Sequence, residues 1–258
     1  MIFYLSEGLT RETINLRNAG SKARIDVEEI ISQRYPKFAT VKSLKKKSSF
    51  FEKVIFLLSL NSIKFMYNMI FQGRKGVFFL QYPWWPFNWV YHKLIRQFVL
   101  KHPTVLLIHD VNSLRSAIPE EIDEEVKLLN HMKAVIVHNP SMKSALVKYG
   151  LKVPCVILYL FDYLLYNGIP KKTRNLGNRV VFAGNLGKSP FLGGLPQGEN
   201  EVHFNLYGIG FNKNWKENTN LSYCGSYPAE KIPYELEGSF GLVWDGKSAY
   251  TCDADLAG

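Results

Sequence analysis

Short runs of β-branched, aromatic and leucine residues return along the chain with helix-period stretches between them, and this alternation limits the fold more than any other feature. The runs occupy residues 1–5, 77–81, 104–108, 134–137 and 155–159. Between them, residues 23–35, 86–101, 119–132 and 140–149 space their apolar side chains by three and four, and Pro119 and Pro140 stand where a first helical turn accepts proline. Strand runs separated by so much chain cannot be joined by tight hairpins, so each connection crosses over and the strands lie parallel. The pattern predicts an α/β fold with a doubly wound parallel sheet. Such sheets take ligands beyond the carboxyl ends of their strands, which draws attention to Glu7 and Gly8, to Tyr82 through Trp85, to His109 through Asn112 and to His138 through Ser141.

Residues 163–178 lose periodicity and collect Asn167, Gly168, Pro170, Asn175, Gly177 and Asn178, the composition of a hinge. A second unit is expected after it. Strands are predicted at 179–183, 202–207 and 240–244, each stopping on a glycine-bearing loop: Gly184-Asn185, Gly208 and Asp245-Gly246. Tyr227-Pro228 is expected to open a short helix running to Glu237 before Gly238. The organisation read from the sequence is two Rossmann-like domains, 1–165 and 166–258. A nucleotide-binding half of this kind needs two or three further β-α units, so the C-terminal domain is expected to be incomplete.

Composition narrows the class. With 47% apolar and 21% charged residues the chain can bury a large core, which excludes a disordered protein. Cys155, Cys224 and Cys252 are odd in number and lack paired-ligand spacing, so they read as reduced thiols. The longest strongly apolar stretch, 54–60, is far shorter than the ~20 residues of a membrane crossing. Met1 leads straight into Ile-Phe-Tyr-Leu without a basic start, and a cytoplasmic protein is expected. The net charge of +10 lies wholly within the first 165 residues. Eight basic residues against Glu52 alone fall between Lys42 and Lys75, interleaved with Phe50, Phe51, Phe56, Phe65, Tyr67 and Phe71. Basic heads beside aromatic rings suit an anionic membrane surface, hence a peripheral position at the inner face of the membrane, although a solvated helix face over an ordinary core has the same composition. Nucleic acid is not expected as a partner, because no zinc spacing, aromatic RNA-binding pattern or recognition helix accompanies the charge.

Five segments taken in order carry a resemblance. They are Val77-Phe78-Phe79-Leu80-Gln81-Tyr82-Pro83, Leu107-Ile108-His109-Asp110-Val111, Val135-Ile136-Val137-His138-Asn139-Pro140-Ser141, Val181-Phe182-Ala183-Gly184-Asn185-Leu186 and Gly241-Leu242-Val243-Trp244-Asp245-Gly246. Over nearly its whole length the chain resembles bacterial GT-B-type glycosyltransferases of the group containing β-1,6-galactofuranosyltransferases and the glucosyltransferases that extend glycans on serine-rich-repeat adhesins. The resemblance implies transfer of a hexose, galactofuranose or glucose, from a UDP-sugar to a glycan or lipid-linked glycan acceptor, with both substrates in a cleft between the domains. It implies that Gly184 and Asn185 form a donor turn, that Lys188 faces the diphosphate, that Tyr227 lies near the nucleotide, and that Gly20 and Ser21 belong to a loop crossing toward the donor. Tyr207, Trp244 and Asp245, at the ends of the same strands, complete the candidate donor contacts. The family continues beyond the Trp-Asp-Gly strand with a helix and another strand, so the chain is expected to be partial or truncated, and homo-oligomerisation through an uncovered face is a further expectation.

Transfer requires a base for the acceptor hydroxyl and positive or N–H groups for the leaving diphosphate. Asp110 is the first choice of base, since a strand end places it over the ligand crevice, and His109 is the second; each has a plain alternative, Asp110 as a turn cap and His109 as a satisfied core residue. Asp253-Ala254-Asp255 imitates a metal-binding Asp-x-Asp but follows no early strand, so neither a metal nor any cofactor besides the donor is expected. The aromatic group Tyr82, Trp84, Trp85, Phe87, Trp89 and Tyr91 suits an acceptor-sugar platform or a packed corner. Two readings of other classes remain open at this point: a non-catalytic sugar-binding or partner subunit, and a basic peripheral membrane protein.

Overall fold

The structure is a computed structural model that describes residues 1–8, 19–40, 58–71, 76–84, 89–116, 118–160, 164–165, 168, 177–196, 198 and 202–243. The chain divides into two compact units, one comprising Met1–Thr13, Arg24–Asp162 and Asp255–Gly258, the other Ile14–Ala23 and Tyr163–Ala254.

The first unit is built on six strands, β1 (Ile2–Ser6), β2 (Lys37–Thr40), β3 (Val77–Tyr82), β4 (Thr104–Ile108), β5 (Ala134–Val137) and β6 (Cys155–Ile157). All pair parallel, in the order β2-β1-β3-β4-β5-β6. The chain steps outward from β1 to β2 and then returns to β3 on the other flank of β1, so the order reverses between β1 and β3. At such a reversal the helices leave on opposite faces and open a crevice at the strands' carboxyl ends.

The connecting helices are α1 (Ala19–Ser32), α2 (Leu60–Phe71), α3 (Trp89–Lys101), α4 (Asn112–Ser116), α5 (Pro119–Leu129) and α6 (Pro140–Lys148). Their apolar stripes explain the packing. On α5, Ile122, Val126 and Leu129 recur at four and three and are buried, with Pro119 at the first position and Glu120 and Glu121 in the first turn, where acidic charge favours a helix start. On α6, Asn139 Oδ1 accepts the Met142 amide at 2.7 Å, so Asn139 is an N-cap rather than a ligand-facing group. The core between helices and sheet is centred on Leu106, Ile108, Val135 and Val137 from the middle strands, Ile95, Leu129 and Leu146 from the helices, and a ring cluster of Phe38, Phe78 and Phe98. The sixth strand stops at Ile157 rather than Tyr159, because Tyr159 takes a positive φ of 66°.

The second unit holds β7 (Arg179–Asn185), β8 (His203–Ile209), β9 (Leu221–Gly225) and β10 (Phe240–Gly241), parallel in the order β10-β7-β8-β9. Its core is small, with Phe182, Leu186, Leu192, Phe204 and Leu206 at the centre. The helix expected from Tyr227 to Glu237 is shorter, α7 (Ile232–Glu235), preceded by a turn in which Pro228 O accepts the Lys231 and Ile232 amides. Pro233 supplies no N–H, so a helix begun at Pro228 cannot run through it, and the helix restarts with Pro233 in its own first turn.

Candidate functional site

In the first unit, side chains from three strand ends and from α1 meet at the β1/β3 reversal. Glu7, just past β1, and Arg24, on α1, are both buried and form an ion pair through Oε1 and Nη1. Arg24 Nη2 also donates to Pro83 O at 2.7 Å, which ties α1 to the turn after β3. Glu28, one turn further along α1, accepts the Ser6 hydroxyl on Oε1 and the Glu7 amide on Oε2 at 3.1 Å. The last β3 residues complete the set. Gln81 Nε2 donates to Arg24 O at 3.1 Å, which leaves Oε1 to accept from His109 Nε2 at 2.7 Å. His109 therefore carries its proton on Nε2, and Nδ1 is the basic nitrogen of the neutral ring.

The two base candidates lie in one charged neighbourhood. Burial, reinforced by the Arg24 guanidinium and by repulsion from the protonated form of His138, pushes the His109 pKa down to about 3. The His138 ring, 6.0 Å from that of His109, is also lowered by burial. Asp110 is half-buried and close enough to Arg24 and His138 to favour their charged forms. The ring of His109 is therefore neutral, and its Nε2–Gln81 hydrogen bond fixes its place beside Asp110.

Glu7 behaves differently. Burial raises its pKa to about 7, outweighing the attraction of Arg24. A carboxyl that binds its proton more tightly in the folded chain stabilises fully below its unfolded value near 4.5, and that contribution is lost as pH rises through about 7. Urea unfolding is accordingly expected to show stability falling between pH 5 and pH 8 in the native protein, and Glu7→Gln is expected to flatten that decline. A slope unaffected by the substitution would contradict the assignment.

In the second unit, two strand-end turns are pressed together by glycine. A Cβ on Gly208, whose φ is 146°, would lie 1.7 Å from Gly184 O, and one on Gly210, φ 81°, would lie 2.7 Å from Gly187 N. Only glycine permits this approach of β8 and its turn to the end of β7. Gly184 and Asn185 are the last residues of β7 and are exposed; Leu186–Lys188 form a short 3-10 turn, with Lys188 exposed and Ser189 Oγ closing it on Asn185 O at 3.2 Å. Tyr207, expected as a donor contact, is buried, with its hydroxyl accepting the Glu237 amide at 3.1 Å and its ring 6.2 Å from that of half-buried Tyr227. Burial pushes its hydroxyl up to about 12. Asn185, Lys188, Tyr207 and Tyr227 thus all lie at or just beyond the carboxyl edge of this sheet.

Other expectations meet different ends. Gly20 and Ser21 stand in the first turn of α1, not in a loop, because α1 already begins at Ala19 and the helix formers Lys22, Ala23 and Arg24 outweigh a single glycine. Trp244 and Asp245, together with Asp253-Ala254-Asp255, Trp85 and Phe87, lie outside the described residues. Of the aromatic platform, Tyr91 is a core residue, fully buried with its hydroxyl on Ser62 Oγ at 2.6 Å, and Tyr82 and Trp84 pack edge to face on each other against that core. Among the described residues no group of three or more His, Cys, Asp or Glu gathers where it could hold a metal ion. Residues not anticipated are Arg24, Gln81 and Glu28 in the first unit, and Gly187, Gly210 and Tyr223 in the second. Tyr223 stacks on Phe211 at 4.5 Å and donates to Gly208 O at 3.0 Å.

Two parallel-sheet units of Rossmann type, each with its polar groups gathered at the strand ends, are the organisation of the GT-B class of glycosyltransferases. Residues 9–160 match a glucosyltransferase 3-like N-terminal domain and residues 180–256 a glucosyltransferase 3-like C-terminal domain. The chain belongs to this glucosyltransferase 3-like family. It is 30% identical over 245 residues to the β-1,6-galactofuranosyltransferase WbbI of Escherichia coli (strain K12), an alignment covering 92% of this chain and 67% of that protein. Among solved structures, Anabaena Alr3699/HepE in complex with UDP and glucose aligns with a TM-score of 0.47 and 11% identity, over 90% of this chain and 70% of that one.

Proposed function

We propose that the protein transfers a hexose, galactofuranose or glucose, from a UDP-sugar to a glycan or lipid-linked glycan acceptor during assembly of a cell-surface polysaccharide or glycoprotein. The observation that carries the donor half of this reading is the pair of glycine turns after β7 and β8, whose backbones approach without intervening side chains beside the exposed Lys188. Bare backbone and an exposed ammonium at a strand-end crevice suit a diphosphate. In the first unit, Asp110 takes the proton of the acceptor hydroxyl. As that oxygen bonds to the anomeric carbon, the bond from this carbon to the diphosphate oxygen breaks, and the electron pair leaves with UDP, where Lys188 stabilises the charge. His109, held by Gln81, presents a neutral ring beside Asp110 and adds no competing cation. The reading includes attachment of the basic first unit to an anionic membrane surface, where a lipid-linked acceptor is found.

Lys188→Ala tests the donor half. Loss of one charge-assisted phosphate contact is expected to weaken UDP binding by about 2 kcal/mol, roughly 30-fold, measured by calorimetric titration, with the melting temperature unchanged because the side chain is exposed. A variant that binds UDP as tightly as the native protein would place the diphosphate elsewhere.

A further inference from the structure

Helix α2 is apolar on both sides. Its inward face is accounted for by the fold: Phe65 packs on Tyr91 at 4.5 Å, Ser62 accepts the Tyr91 hydroxyl, and Asn68 Nδ2 donates to Phe38 O at 3.2 Å. The opposite face carries Leu60, Ile63, Tyr67 and Ile70, spaced by three, four and three and so aligned along one side, and these are 85, 48, 55 and 58% exposed. Leu58, just before the helix, is 69% exposed. The outward face of an ordinary surface helix is polar, and an apolar one marks a surface that something covers.

Beside this face lies a cavity of about 370 Å³ between α2 and β2, the outermost strand of its sheet. Lys37, Thr40, Asn61, Lys64 and Asn68 supply its polar lining; two of these are exposed lysines, and no carboxylate lines it among the described residues, although Glu28 lies near enough to Lys37 to feel its charge. Helix α2 contains no acidic residue, and the sequence from Lys42 to Lys75 around it holds eight basic residues against one acidic. An apolar stripe flanked by cations complements an anionic bilayer, in which acyl chains lie under a layer of phosphates. A nucleic acid offers phosphates but nothing for four aliphatic and aromatic side chains to enter.

We propose that the outward face of α2 and the lysine-lined cavity beside it form the surface by which the protein docks on an anionic phospholipid bilayer. Leu60, Ile63, Tyr67 and Ile70 enter the boundary between headgroups and acyl chains, and Lys37 and Lys64 meet lipid phosphates. This rests on the membrane-attachment reading given above and assigns it to one face.

The test is co-sedimentation of the full chain with vesicles of phosphatidylcholine alone and with phosphatidylglycerol mixed in. The native protein is expected to pellet with the anionic vesicles and to be released by salt. The double variant Ile63→Glu/Ile70→Glu is expected to lose about tenfold or more in partitioning, and Lys37→Glu/Lys64→Glu a similar amount, each with melting temperature and UDP affinity as in the native protein. As a second measurement, Tyr67→Trp is expected to gain fluorescence that brominated lipid chains quench. Native protein that ignores anionic vesicles would overturn the attachment reading and this inference together. Native protein that binds while both double variants bind equally well, or a Tyr67→Trp variant whose added fluorescence bromine leaves untouched, would overturn only the assignment to α2. A native dimer that Ile63→Glu/Ile70→Glu converts to monomer, with vesicle binding unaltered, would give the face to a second copy of the chain instead.

Discussion

Asp110→Asn is expected to lower the turnover of glycosyl transfer by about 10²- to 10⁴-fold, the range lost when a positioned base is removed. The substitution keeps size and shape, so the strand-end packing at β4 survives. What disappears is the capacity to hold the acceptor proton as the new bond forms. The neighbouring His109, lowered to about 3 by burial and by Arg24 and with its Nε2 proton on Gln81, is held in a positioning role. His109→Gln is accordingly expected to cost less than Asp110→Asn. Single-turnover kinetics separate this loss from binding, and the affinity for UDP should stay near native, since Asp110 and the donor turns belong to different units. Turnover equal to native in Asp110→Asn would remove it from the chemistry.

Gly208→Ala is expected to destabilise the second unit by on the order of 3 kcal/mol or more, lowering its melting temperature by roughly 10 °C or more and abolishing UDP binding with it. Two effects add. The backbone φ of 146° lies in a region that side chains rarely enter, and the new methyl carbon would stand 1.7 Å from Gly184 O, well inside contact distance. Relief requires β8 to move away from β7 where Gly184 pairs with Gly208, which breaks the ladder at the donor end. Gly194→Ala is the control, because a Cβ there meets nothing within 4 Å. Thermal melts of the two variants should differ sharply; similar melting temperatures would mean that the β7 and β8 turns are not in contact.

The parts of this fold that a reader of the sequence can find are those with a local cause. In the first sheet the central runs Val105–Ile108 and Ala134–Val137 are unbroken and apolar, as in a parallel sheet packed on both faces, and Asp110 and His109 are conspicuous because they follow such a run directly. The short edge strands are not visible in the same way. Lys37–Thr40 has four residues and begins with an exposed lysine, and Leu221–Gly225 mixes Ser222 and Cys224 with its apolar residues, so neither has a distinctive period. Without β2, the reversal between β1 and β3 cannot be inferred, and with it goes the reason that Glu7 matters.

The Glu7–Arg24 pair shows a second limit. Its members are 17 residues apart, on a strand end and a helix, and nothing in either local pattern says that the two charges meet in the interior. Gln81 likewise reads as an ordinary strand residue until its amide is seen bridging Arg24 and His109. The closeness of Gly208 to Gly184 is legible only as two glycines in separate turns. Pro233, by contrast, stands in plain view and is sufficient to shorten the helix expected from Tyr227.

Calorimetric titration of the full chain with UDP tests the donor site most directly. One UDP bound per chain, with a higher melting temperature in its presence, is the predicted result. No heat and no thermal shift at saturating nucleotide would contradict it.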